Sequence, residues 1–147
     1  MYKNERKIVS LFSNDAHEGT FEQIKYIDNS LHNFLIEILT KYFDDKSIIF
    51  LMSDHGTGMP GIYDILRSED KEFEVLFGFL FLILPKNSNY TENLIINEQR
   101  MITPYDIYGT FHNIIYSDLE KKKYPKSFKG QSILKKINGK KRTCKNY

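Results

Sequence analysis

Tryptophan is absent and cysteine occurs once in 147 residues. A single thiol excludes an internal disulfide framework and a cysteine-cluster zinc site. Charge of one sign is lacking too. Lys+Arg 21 against Asp+Glu 19 leaves a formal charge of +2, so the overall balance predicts no nucleic acid or other polyanionic partner. Long apolar runs are missing: the longest, Val75 to Leu84, is about ten residues where a bilayer crossing takes roughly twenty. The opening Met1-Tyr2-Lys3-Asn4-Glu5-Arg6-Lys7 is polar and does not read as a signal peptide. No internal repeat is found, and no Gly-x-Gly-x-x-Gly or phosphate-loop motif supports a nucleotide-binding domain. What remains is globular composition, with 41% hydrophobic, 27% charged and 14% aromatic residues. At face value this describes a small soluble intracellular domain.

The hydrophobic pattern predicts an α/β chain. Lys7-Ile8-Val9-Ser10-Leu11-Phe12-Ser13 reads as a short strand and runs into a polar loop, Asn14 to Thr20. Thr20 can cap the helix that follows, in which Ile24, Ile27, Leu31, Phe34, Leu35, Ile38, Leu39 and Tyr42 recur at spacings of three and four. Asp44-Asp45-Lys46 breaks that period. Ser47 to Met52 is then an unbroken apolar run, which suits a strand buried on both faces of a parallel sheet. Strand, helix and strand would form a right-handed crossover. Residues 62–74 read as a charged helix or loop, Phe77 to Leu84 as another buried strand, and Glu92 to Arg100 as a short helix. Pro104 opens a last helix with Thr103 as its cap and Ile107, Phe111, Ile114 and Ile115 as its apolar side. Tyr105, Tyr108 and Phe111 read as packing residues of that helix.

Chemistry concentrates at two loops. Asp54-His55-Gly56 follows the 47–52 strand, at the edge where open α/β sheets bind ligands. A carboxylate and an imidazole side by side offer a hard oxygen and a nitrogen to one divalent cation, while Gly56 and Gly58 let backbone approach a ligand. The same tripeptide also suits a plain turn with a solvated Asp and a hydrogen-bonded His. His17, in the loop after the first predicted strand, would emerge on the same sheet edge, with Asp15 and Glu18 beside it. Those carboxylates alternatively serve to cap the helix. His32 and His112 lie within predicted helices and read as structural. The tail carries Lys121, Lys122, Lys123, Lys126, Lys129, Lys135, Lys136, Lys140, Lys141 and Arg142, dispersed as on a solvated surface. Asn89-Tyr90-Thr91 is an N-glycosylation sequon in a predicted loop.

The order of these segments is familiar: a His-containing loop, a helix with Tyr26-Ile27-Asp28-Asn29, a buried strand, then Ser53-Asp54-His55-Gly56. It resembles the C-terminal half of the alkaline phosphatase/sulfatase superfamily, and within it the sulfatase-like domain-of-unknown-function 229 group of animal proteins. Thr103-Pro104-Tyr105-Asp106-Ile107-Tyr108-Gly109-Thr110, Gly130-Gln131-Ser132-Ile133-Leu134 and Arg142-Thr143-Cys144 carry the likeness from Lys7 to Cys144. The resemblance implies a partial alkaline phosphatase-like sandwich with a mostly parallel sheet flanked by helices, spanning residues 1–120, with 121–147 as a basic C-terminal segment. It implies Asp54 and His55 as ligands of a divalent metal ion (zinc, manganese or calcium), and His17 as a substrate contact or further ligand with a catalytic role. The implied substrate is a phosphate or sulfate ester, hydrolysed or transferred.

The departures from the family pattern set further expectations. The superfamily nucleophile and an early acidic ligand belong to an N-terminal half that this chain would lack, so the chain is expected to be inactive alone. Ser13 stands where phosphatase members place an Asp, which favours a one-metal site. Related proteins are extracellular or secretory, anchored to membranes only through an N-terminal segment not in this sequence. Cys144 would then open a cysteine-bearing region. The competing expectation is a non-catalytic extracellular domain that keeps the fold and binds a partner or a sulfated glycan through its lysines.

Overall fold

A computed structural model describes residues 5, 7–15, 17, 22–56, 75–116, 129–139 and 142. The Thr20 cap, Glu18, Gly58, the 62–74 segment, Lys121 to Lys126, Lys140, Lys141, Thr143 and Cys144 lie outside the described residues. The chain forms an α/β structure of three helices and a two-stranded antiparallel sheet. Its elements are α1 (Gln23–Lys41), β1 (Ile49–Met52), β2 (Leu80–Ile83), α2 (Thr91–Asn97) and α3 (Pro104–Tyr116). They fall into two compact units, Met1–Phe43 with Leu51–Phe81, and Asp44–Phe50 with Leu82–Tyr147.

The first unit is built on α1, whose threefold and fourfold apolar spacing matches its helical run. Ile27, Leu31, Leu35, Ile38 and Leu39 are half-buried, whereas Ile24, Phe34 and Tyr42 stay exposed. No side-chain cap closes its start at Glu22, and its end is satisfied by the Tyr42 and Phe43 N–H groups, both donating to the Ile38 carbonyl at 3.0 Å. Lys41, bonded to Glu37 at 2.9 Å, adds a cation to the negative end of the helix. Asp15 does not cap this helix. Its carboxylate instead accepts a hydrogen bond from the Ser13 hydroxyl.

Residues 7–13 form no strand. Ile8, Val9, Leu11 and Phe12 are 70–88% exposed, and no β-ladder holds them. Apolar and β-branched content favours extended backbone, but a strand exists only when a neighbour pairs its N–H and C=O groups. The expected crossover therefore does not form, and the observed sheet is antiparallel where a mostly parallel one was expected. An unbroken apolar run signals a strand without fixing the direction of its partner.

At the sheet, Ser53 N–H donates to the Phe79 carbonyl at 3.1 Å, and Phe79 N–H donates to the Ser53 hydroxyl at 3.0 Å. The backbones meet at Gly78, where a Cβ would lie 2.6 Å from the Ser53 carbonyl oxygen and 2.9 Å from its Oγ. Only a residue without Cβ fits this approach. Gly78→Ala is expected to cost about 1–3 kcal/mol by forcing the backbones apart. Urea unfolding checks this, and a variant as stable as the parent would show that the two segments separate freely.

Every buried residue among those described belongs to the second unit: Asn97, Asp106, Gly109, Thr110, Ser132, Ile133, Leu134 and Ile137. Three of these are apolar side chains, Ile133, Leu134 and Ile137, all from 129–139, a segment without α-helix or strand. The Phe50 and Phe111 rings pack at 4.9 Å between centroids. The buried face of α3 is Asp106, Gly109 and Thr110, at helical spacing, and its expected apolar residues sit at the margins. Tyr105 and Tyr108 are 60% and 58% exposed. No described helix is long and apolar enough to cross a membrane.

Candidate functional site

The loop that leaves β1 is pinned at both ends. The Ser53–Phe79 bonds fix its start, and Gly56 N–H donates to the Val75 carbonyl at 3.3 Å to fix its end. Asp54 and His55 occupy the two positions between, with side chains 76% and 53% exposed. Local hydrogen bonds orient both. The His55 N–H donates to Asp54 Oδ1 at 2.9 Å, which leaves Oδ2 available. The His55 Nδ1 lies 2.6 Å from the Gly56 carbonyl oxygen. A carbonyl only accepts, so Nδ1 carries the proton and a neutral ring keeps its lone pair on Nε2.

Nε2 and Oδ2 stand 3.6 Å apart. Two donors around one tetrahedral ion, each at about 2.0–2.2 Å, are separated by roughly 3.4 Å. The pair therefore fits a single small divalent cation. The Nδ1–H bond to a backbone carbonyl is the outer contact that metal-binding histidines use to set their tautomer. Among the described residues no group of three or more His, Cys, Asp or Glu is placed to hold a metal ion. His17 is thus not gathered with Asp54 and His55 into a three-ligand set. It lies exposed in its own turn, its N–H donating to the Asn14 carbonyl at 3.0 Å.

His32 is exposed on α1, its Nδ1 3.4 Å from Asn33 Oδ1, and is a flank residue rather than a core one. His112 is half-buried, its ring 6.3 Å from that of Tyr108 and 4.6 Å from that of Tyr116. Both stay outside the candidate site.

The densest polar arrangement lies in the second unit, and residue-by-residue reading missed it. Asp106 is fully buried, and the Arg142 guanidinium meets it as a fork, Nη1 to Oδ2 at 2.6 Å and Nη2 to Oδ1 at 2.7 Å. Gln131 N–H donates to Oδ1 at 2.7 Å, and the Thr103 N–H and hydroxyl donate to Oδ2 at 2.8 and 3.0 Å. Burial alone would raise the Asp106 pKa. Arg142, the Gln131 and Thr103 N–H groups and the Thr103 hydroxyl outweigh it and hold the carboxyl below its ordinary value. Asn97, Asn93 and Thr110 add bonds to the backbone of Ile133, Leu134, Lys135 and Ile137. No described buried side-chain nitrogen or oxygen lacks a partner. The available signal was Thr103-x-x-Asp106, a Thr with an acidic residue three positions on, where the carboxylate reaches back to the cap N–H. These groups are consumed by each other and position backbone, so the exposed chemistry stays with Asp54 and His55.

No curated protein and no solved structure matches the chain. One family does, over residues 1–147, under the description protein of unknown function (DUF229), and the chain belongs to that family.

Proposed function

We propose that this chain supplies the metal-holding loop of a phosphatase- or sulfatase-like hydrolase. Asp54 Oδ2 and His55 Nε2 would bind one divalent cation beside a phosphate or sulfate ester. The observation that carries the reading is their 3.6 Å separation, with the other carboxylate oxygen and the other ring nitrogen already engaged. The exposure of both side chains leaves room for water or an ester oxygen to complete the coordination. A bound cation would offset negative charge on the ester as it is attacked. The mixed nitrogen and oxygen donors favour zinc or manganese over calcium, which prefers six to eight oxygens. His17 would act as a substrate contact. The chain belongs to an alkaline phosphatase-like sandwich working in the secretory pathway or outside the cell. No residue of the chain is assigned as nucleophile, so turnover by this chain alone is not expected.

Calorimetry of the full chain with zinc, manganese and calcium tests the assignment. Asp54→Ala and His55→Ala should each weaken zinc binding about tenfold or more, a loss of roughly 1.4 kcal/mol or greater. Unchanged affinity in Asp54→Ala would sink the metal assignment. Hydrolysis of an aryl phosphate or sulfate by the chain alone, lost in both variants, would overturn the claim that it is inactive by itself. An inert chain that binds no cation would favour a non-catalytic binding domain instead.

A further inference from the structure

We propose that Asn89 is an N-glycosylation site and that the folded second unit carries the glycan without loss of stability. Asn89-Tyr90-Thr91 is the only Asn-x-Ser/Thr in the sequence, with no proline at the middle position or directly after it. It falls in the turn between β2 and α2, where Asn89 and Tyr90 are both exposed. The turn is closed without the Asn89 side chain. Ser88 N–H donates to the Pro85 carbonyl at 3.0 Å. Tyr90 N–H donates to the Ser88 hydroxyl at 3.3 Å, and the Thr91 hydroxyl and N–H donate to the Ser88 carbonyl at 3.0 and 3.3 Å. Among the described residues the Asn89 amide makes no hydrogen bond, so substitution on its nitrogen removes no contact.

The neighbouring asparagines mark the contrast. Asn93 and Asn97 of α2 spend their amides on the backbone of 133–137, and Asn97 is 1% exposed. A bulky hydrophilic group would unfold the unit from either position. Asn87 and Asn89 are both exposed in this turn, and of the two only Asn89 stands in a sequon. In the transfer, Asn89 Nδ2 attacks the anomeric carbon of an oligosaccharide carried on a polyprenyl diphosphate. The C–N bond forms as the C–O bond breaks. The diphosphate leaves with the electron pair, and the amide gives one proton to a base. The inference rests on the secretory-pathway placement proposed above, but the site is separate from Asp54 and His55 and its outcome does not depend on their holding a metal.

The test is expression of the full chain behind a cleavable secretion leader in animal cells, with translation into microsomes in parallel. The second arm does not require folding. One glycosidase-sensitive mobility step is expected in both arms, retained in Thr91→Ser and lost in Asn89→Gln and Thr91→Ala. Peptide mapping should place the modification on Asn89, and enzymatic removal of the glycan should leave the melting temperature unchanged. Unmodified Asn89 in the microsomal arm would overturn the site assignment. A chain that is modified in microsomes but melts differently after glycan removal would overturn the claim that the fold accommodates it.

Discussion

Arg142→Met is expected to cost the second unit about 3–5 kcal/mol, because it leaves the Asp106 carboxylate charged, buried and without its main counter-ion. Asp106 is 0% exposed and the Arg142 side chain 8%, so water does not screen the pair. A surface ion pair would contribute about 1 kcal/mol or less. With no tryptophan in the chain, urea unfolding is best followed by far-ultraviolet circular dichroism. The acid side provides an independent check. Asp106 titrates below its ordinary value in the folded chain, so the unfolded chain takes up this proton first. Its stabilisation is complete above the unfolded-state value of about 3.9 and is lost as the pH falls through the lower folded value. Arg142→Met removes the largest of the groups that lower the Asp106 value, so the carboxyl of the variant takes up its proton at a higher pH than that of the parent. The deficit of the variant should therefore narrow as the pH drops below about 4. A loss under about 1 kcal/mol, with no such narrowing, would show that solvent reaches the pair. Pairing Arg142→Met with Asp106→Leu should recover only part of the deficit, because the Gln131 and Thr103 N–H groups also lose their acceptor.

Asn97→Leu is expected to cost roughly 3 kcal/mol, since three backbone groups, two of them buried and one part-buried, lose a partner at once. The Asn97 amide donates to the Ile133 and Lys135 carbonyls at 2.8 and 2.9 Å, and its oxygen accepts from Ile137 N–H at 2.9 Å. Leucine fills a similar space and answers none of these groups, so the penalty is desolvation rather than a cavity. Asn93→Ala, which removes one part-buried bond to the Leu134 carbonyl, provides the comparison and should cost about 1 kcal/mol. If the two substitutions proved equal, the 129–139 segment would be held by its apolar side chains and the amides would be incidental.

How much of this was visible in the sequence follows from what kind of contact holds each element. The helices were legible where local signals suffice. The apolar period from Ile24 to Tyr42 located α1, and Thr103-Pro104 located the start of α3. The two apolar runs identified β1 and β2. Their antiparallel pairing was hidden, because strand direction is decided by the partner and by the connection between them. The first expected strand failed for the same reason. Ile8, Val9, Leu11 and Phe12 have the composition of a strand and no strand paired to them among the described residues. Asp54 and His55 were singled out from their adjacency, and the structure adds how their local hydrogen bonds orient the ring and the carboxylate. The link between Asp106 and Arg142 was not readable. It spans 36 residues and depends on burial, which a polar residue does not announce. Asn97 likewise reads as an ordinary helix-end asparagine until the carbonyls it serves are known.

The bonds that hold 129–139 and Arg142 against α2 and α3 join residues 23 to 41 positions apart. Few of them can form early. As the chain leaves the ribosome, α2 and α3 are complete while the Asn97 amide still faces water and Asp106 and Thr110 have only their local partners, Thr103 and the Asp106 carbonyl. Ile133, Leu134 and Ile137, the apolar side chains buried in this unit among the described residues, arrive only after both helices. Closing such distant contacts requires loop ordering before any contact repays it. Folding of this unit therefore waits for residues 129–142 to be made. Until Arg142 has emerged, the buried carboxylate at its centre has no guanidinium to meet.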